Sequence, residues 1–345
     1  MGKKVTMKDI AKKLGISINA VSLALNNRVG VSDEMRLKVL RTADLLGYIN
    51  SNSRFSHTFE RFNFCVMMQD IYSRDMDFYA KVLYSIVQES KNQGYDTILN
   101  YFMDENMTIP DCIEMRRVSG ILIIGKISNR NIKILESYNL PIVLIDHLLL
   151  LSNVNCVLTD NKSGGFLATQ YLIKSGFREI GFFGDLRYSL SIKERYEGFL
   201  EALMYEGIIE IDQREEYASK YSITKNLEQH VLNNDVDAIV SILSLQKMLP
   251  QAYFCSNDHA AVMLISALKE KNIHVPQDIS IIGFDNVELC EKINPKLTTI
   301  NVNKEVMGQR AVRKLLHLIE RKKEINENIV LGVELIERAS VLPSS

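Results

Sequence analysis

The first residues that invite a chemical reading lie between Ser17 and Asn26, in the uncharged run SINAVSLALN. At 3.6 residues per turn, Val21, Ala24 and Leu25 share one face of a helix. Asn19, Leu23 and Asn26 line another, with Ile18 and Ser22 beside them. An asparagine amide offers a donor and an acceptor side by side, a pattern that pairs bidentately with adenine, and apolar Ile18 and Leu23 match thymine methyl groups. The alternative is that Ile18 and Leu23 are partly buried core. Charge favours a nucleic-acid partner: residues 1–61 hold eleven Lys or Arg against five Asp or Glu, in a chain of formal net charge -1. A basic front thus precedes an acidic body, although a charge run taken alone is as readily a solvated face.

These side chains need a scaffold, and the sequence supplies its punctuation. From Thr6 to Gly47 apolar residues recur at helical spacing in three blocks, 7–14, 18–25 and 35–46. Thr6 followed by Asp9 reads as a capping box, Ser17 caps the second block, and Ser32 with Asp33 and Glu34 starts the third. Gly15 stops the first helix. The result is an all-α helix-turn-helix domain at 1–50. The polar, aperiodic stretch INSNSRFSHTFERF marks a hinge or linker at 51–62, or a segment that orders on binding. Residues 63–345 then alternate β-rich runs (FNFCVMM, DTILNY, GILIIG, PIVLID, EIGFFG, DAIVSI, AYFC, ISIIGFD, LTTI) with amphipathic helices. That is βαβ repetition on a scale that predicts two doubly wound lobes with a ligand cleft between them. The expected division is 63–160 with 291–322 in one lobe and 161–290 with 323–345 in the other. A long helix from about Lys304 to Arg321 carries Met307, Ala311, Leu315 and Leu318 as an apolar stripe, read as core.

The ordered pattern T-x-x-D-I-A-x-x-x-G-I-S-x-x-x-V-S-x-x-L-N at 6–26 resembles the headpiece of the lactose-repressor (LacI/GalR) family, and the likeness extends over almost the whole chain. The resemblance implies that Ile18, Asn19 and Leu23 occupy base-reading positions, with Thr6, Ser22 and Asn26 where phosphates are held and Ser17 in the same DNA-binding set. Leu23 departs from the Arg often found there, so the operator preference is expected to differ. The family's minor-groove hinge is also altered: Asn50 replaces a Pro, Arg54 a small Ala and His57 a Leu, leaving Phe55 as the candidate wedge. The body resembles the family's effector domain, which is similar to type I periplasmic sugar-binding proteins, through MMQDI, RYEGF, SND, GFD and NPKLTTI. Asp70, Phe78, Arg195, Asn257 and Asp285 are its implied effector-binding residues. Carboxylates, Arg and Asn suit sugar hydroxyls, and an aromatic such as Phe78 or Tyr79 suits an apolar sugar face. Blander roles compete: Asp258 as a helix cap, Arg195 as an ion-pair partner, Phe78 as core. The insertion-like IYSRDMD leaves the alignment of Tyr72 to Phe78 open.

The resemblance implies a transcriptional repressor of carbohydrate-utilisation genes. Its partners would be palindromic double-stranded DNA, a sugar or sugar phosphate effector and a second copy of the chain, since no heptad tail follows VLPSS. Five separated cysteines in apolar runs read as buried thiols, and no signal-peptide or membrane-spanning pattern occurs, so the expected location is cytoplasmic. No cofactor or metal is expected. SGG at 163–165 and GFFGD at 181–185 fall short of a P-loop or a GxGxxG, and no Ser-His or Cys-His arrangement points to catalysis. Two rivals remain: a sugar-binding protein without DNA regulation, and a sugar-converting enzyme.

Overall fold

The computed structural model describes residues 5–26, 28, 30–48, 63–70, 76–149, 152–320 and 325–342. Phe55, with Asn50, Arg54, His57 and the rest of the hinge, and Tyr72 lie outside the described residues. The front of the chain forms α1 (Met7–Leu14), α2 (Ile18–Leu25) and α3 (Asp33–Leu45). The Asp9 carboxylate accepts from Thr6 N at 2.8 Å and from Thr6 Oγ1 at 2.6 Å. Gly15 ends α1 in the left-handed region at φ 66, and Ser17 Oγ accepts from Ala20 N at 3.0 Å to start α2. Ile10, Val21, Ala24, Leu25, Val39, Leu40 and Ala43 close a small core. Each buried Val or Leu there contributes roughly 1.5–3 kcal/mol.

The body holds two sheets. The first is parallel, in the order β10-β5-β4-β3-β1-β2, with β1 Asn63–Gln69, β2 Asp96–Phe102, β3 Gly120–Ile124, β4 Ile142–Ile145, β5 Asn155–Thr159 and β10 Asn328–Leu331. The second runs β11-β9-β8-β7-β6, with β6 Ile180–Phe183, β7 Ala252–Cys255, β8 Ser280–Asp285 and β9 Thr298–Asn301 parallel and β11 Glu334–Ile336 antiparallel. β3, β4, β6, β7 and β8 are buried along their length, which is why they read as continuous apolar runs. Among the described residues no helix is long and apolar enough to cross a membrane, and all five cysteines are buried.

Sheet membership corrects two expectations. β9 falls in the second sheet and β10 in the first, whereas the sequence division put 298–301 in the first lobe and 328–331 in the second. The chain therefore passes between the sheets three times, after β5, between β9 and the helix Lys304–Glu320, and between β10 and β11. The segment DAIVSI is not a strand but part of the helix Val236–Ser244, because Asp235 caps it by accepting from Ala238 N at 3.1 Å and Ile239 and Leu243 are buried at i, i+4. In the helix Lys304–Glu320, Met307, Ala311 and Leu315 are buried, as core.

Helices Asn161–Lys174 and Leu190–Tyr205 cross at near backbone contact. A β-carbon on Gly165 would stand 2.1 Å from the Arg195 carbonyl oxygen, and one on Gly198 2.0 Å from that of Lys162. The SGG motif is thus a packing device. Gly165→Ala is expected to lower stability by about 1–3 kcal/mol, the usual cost of overpacking, and urea unfolding checks it. An unchanged midpoint would mean that the two helices can separate freely.

Candidate functional site

On α2 the inward face is as expected, with Val21, Ala24 and Leu25 buried. Ser17, Ile18 and Asn19 are exposed, Ile18 to 47%, so Ile18 is not core. Ser22, Leu23 and Asn26 are half-buried. Leu23 leans on the following turn, its Cδ1 lying 3.2 Å from where a β-carbon on Gly30 would be, while Asn26 Nδ2 donates to Ser22 O at 2.7 Å and to Ser22 Oγ at 3.3 Å. α2 carries no charge, but Lys8, Lys12, Lys13 and Arg28 near it in the chain are exposed. The helix thus presents an uncharged exposed face with cations before and after it in the chain.

A cavity of about 410 Å³ opens between the two sheets, and Phe78, Asn161, Arg195, Asn257 and Asp285 line it. Asp70, exposed just after β1, is not among the lining residues, so the expectation of an effector contact there is not supported by the geometry. Arg195 is 5% exposed and fixed on every side. Its Nε donates to Asn161 Oδ1 at 3.0 Å, Nη1 to the Ser256 carbonyl at 2.5 Å and Nη2 to Asp285 Oδ1 at 3.2 Å. Its guanidinium lies 3.8 Å from the Phe284 ring centroid. Arg195 is thus both an ion-pair partner and a lining residue, and Phe78 both core and lining.

Other elements hold this set in place. Asp285 ends β8 at φ 107, a conformation costing a non-glycine residue roughly 1–3 kcal/mol. Lys304, buried in the crossing after β9, clamps it by donating to the carbonyls of Asp285, Asn286 and Val302. Burial pushes the Asp285 carboxyl up, against the pull of Arg195 and Lys304, and pushes the Lys304 ammonium down. Asn257, not Asp258, caps the helix Asp258–Glu270, its Oδ1 accepting from Ala260 N at 2.7 Å. Asp258 instead accepts from Val287 N at 2.9 Å and Thr299 Oγ1 at 2.6 Å, tying β8 to β9.

Sequence reasoning missed four contributors: Asn161, Glu194, Asp146 and Lys304. Asn161 Nδ2 donates to Glu194 Oε2 at 3.0 Å. Asp146 closes β4, lines the cavity and accepts from Tyr79 Oη at 3.0 Å. A carboxylate ending the apolar run PIVLID was the available signal. Such a floor donates and accepts in fixed directions, as polyol recognition requires.

Burial, against the pull of Arg195, pushes the Asp146 carboxyl up from an ordinary 3.8 to about 6. Between those values the folded chain holds a proton that the unfolded chain has released. The stability contribution is therefore complete below pH 3.8 and lost as pH rises through about 6. Asp146→Asn, which mimics the protonated form, is expected to melt above the parent at pH 7.5, with the gap closing toward pH 4. Melting curves across that range test this, and a gap independent of pH would contradict it.

Comparison with known proteins adds an independent line. A model for bacterial regulatory proteins of the lacI family matches residues 6–51, and one for a periplasmic binding protein-like domain matches residues 169–341. The chain is 32% identical to the HTH-type transcriptional repressor PurR of Actinobacillus pleuropneumoniae serotype 3 (strain JL03), over 97% of this chain and 98% of that protein. It is similar to a LacI family transcriptional regulator from Enterococcus faecium solved with bound ribose, at 26% identity and a TM-score of 0.70, covering 82% of this chain and 100% of that one. The lac repressor dimer bound to operator and the anti-inducer ONPF shares the fold at 21% identity and a TM-score of 0.67, over 99% and 100% of the two chains.

Proposed function

This chain belongs to the lacI family of bacterial regulatory proteins, and from that premise we propose that it is a repressor of carbohydrate-utilisation genes whose operator affinity is set by a sugar held between its lobes. The observation that carries the effector half is the Arg195–Asp285 pair, fixed at the floor of a cavity between two sheets that the chain crosses three times. The ribose bound to the Enterococcus faecium regulator supports a sugar as the ligand class. Asp146, Arg195, Asn257 and Asp285 meet its hydroxyls, and Phe78 or Tyr79 covers an apolar face. Ile18, Asn19 and Leu23 read bases, while Thr6, Ser17, Ser22 and Asn26 hold backbone. The protein works in the cytoplasm and performs no catalysis. A sugar alters operator affinity only through unequal affinity for two lobe arrangements, because a ligand that binds both equally shifts nothing.

A homodimer presents two headpieces to a palindrome. The surface that supports it is the edge of the first sheet. In register with Val66 and Met68, Leu99 and Tyr101 of β2 lie on the side of the sheet packed by helix Met76–Asn92, and with Tyr84 of that helix they leave large apolar groups exposed, Tyr101 to 52% and Tyr84 to 66%.

Anisotropy titration of a palindromic operator at fixed salt, with and without a panel of sugars, tests the reading. At least one sugar is expected to shift operator affinity. Arg195→Lys keeps the charge but loses the planar fork, and should raise the sugar concentration for half-response at least about tenfold. Asn19→Ala should lose about 1–3 kcal/mol of discrimination at one base step; a uniform loss over all sequences would assign it to the backbone. If no sugar moves operator affinity or melting temperature, the effector assignment is wrong. Tyr101→Asp is expected to sediment as a monomer, and an unchanged dimer would place the interface elsewhere.

A further inference from the structure

The cavity floor is rich in carboxylate: Asp146, Glu194 and Asp285 surround Arg195 and Asn161. Its mouth has the opposite character. Lys126, on the loop after β3 in the first lobe, lines the cavity from one side. Arg187 and Lys193, on either side of the start of helix Leu190–Tyr205, line it from the second lobe. All three are exposed, whereas Arg195 and Asp285 are buried. None of the three has a carboxylate partner among the described residues; Glu228, which also lines the cavity, is buried, and Asp185 and Asp104 are engaged by amide groups. Asp185 accepts from Arg187 N at 3.0 Å through Oδ1 and from Leu227 N at 3.3 Å through Oδ2. In the first lobe Asp104 Oδ1 accepts from Ser128 N at 2.9 Å and Asn131 Nδ2 at 2.7 Å. The cavity wall between Arg187 and Lys193 adds Tyr188 and the hydroxyls of Ser189 and Ser191, 2.9 Å apart. One cavity therefore contains two chemistries, a floor in which carboxylates outnumber Arg195 and a mouth whose cations, among the described residues, have no direct carboxylate partner on either wall.

We propose that the sugar effector of this chain is anionic, its phosphate or carboxylate lodging between Lys126 of one lobe and Arg187 and Lys193 of the other while its hydroxyls face the floor. The proposal rests on the sugar reading of the cavity and narrows it. Cations on opposite walls repel each other when the lobes approach, and an anion placed between them reverses that term. The anionic group thus supplies differential affinity for the closed arrangement, which a neutral sugar on the floor supplies only in part.

The test uses the full chain in calorimetry with matched probes: glucose, glucose 6-phosphate and glucuronate; galactose and galacturonate; ribose and ribose 5-phosphate. At least one anionic member is expected to bind about tenfold or more tighter than its neutral counterpart, with affinity falling between about 0.05 and 0.3 M salt. The better anionic member distinguishes phosphate from carboxylate. Lys126→Gln should abolish the preference and Lys126→Arg retain it; Lys126 is exposed, so neither change disturbs packing. A neutral sugar binding as tightly as its anionic counterpart, or a preference untouched by Lys126→Gln, overturns the proposal and leaves the sugar reading standing. Failure of every probe, neutral and anionic, overturns both.

Discussion

A guanidinium withdrawn from water at the junction of four elements must be neutralised and hydrogen-bonded on every side, and Arg195 meets that demand through Asp285, the Ser256 carbonyl and Asn161. Each partner arrives by a separate structural route. Asn161 opens a helix that approaches Arg195's own helix closely only because Gly165 and Gly198 lack side chains. Ser256 follows β7, and Asp285 is aimed by a left-handed backbone turn clamped by Lys304. A buried ion pair of this kind is a poor source of net stability, since desolvation cancels much of the attraction. Its consequence is specificity: helix, strand ends and lobe crossing are held in one arrangement, with hydrogen-bonding capacity facing the cavity.

Local rules made the headpiece legible. Thr6, Gly15 and Ser17 act within a few residues of themselves, so caps and turns could be read from type and spacing alone. The failures have one local cause and several non-local ones. DAIVSI has the β-branched composition of a buried strand, but Asp235 before it and the apolar spacing of Ile239 and Leu243 favour a helix, and AYFC takes the place beside β6. Nothing local tells β9 and β10 which sheet to join, because membership depends on the register of distant partners: β10 pairs with β5, and β9 with β8. Arg195, Asn257 and Asp285 were placed by resemblance. Lys304 was invisible because a lysine at a helix start reads as solvated until the carbonyls of residues 285 and 286 are seen to converge on it.

Any rotation of one lobe against the other has to be absorbed at the three crossings, and Lys304 sits in one of them. Its ammonium bonds to the end of β8 in the second sheet and lies 5.5 Å from the ring centroid of Phe78, on a helix of the first lobe. The same ring lines the cavity. Phe78 is therefore tied through Lys304 to Asp285, which lines the cavity from the other lobe. This is a contiguous physical connection between the two lobes, and close packing of this type transmits strain.

The headpiece divides its work differently from a helix that reads DNA with charge. An arginine in the position of Leu23 would add an electrostatic term wherever the helix rests, whereas Leu23 and Ile18 gain only where an apolar group meets them. Asn26 and Ser22 are bonded to each other at the end of the same helix, so their polar atoms are held in position. The exposed cations Lys8, Lys12, Lys13 and Arg28 lie outside the uncharged face of that helix. Where affinity and discrimination are carried by different residues, the salt dependence of binding reports on cations and the choice of base on the uncharged groups that meet base edges.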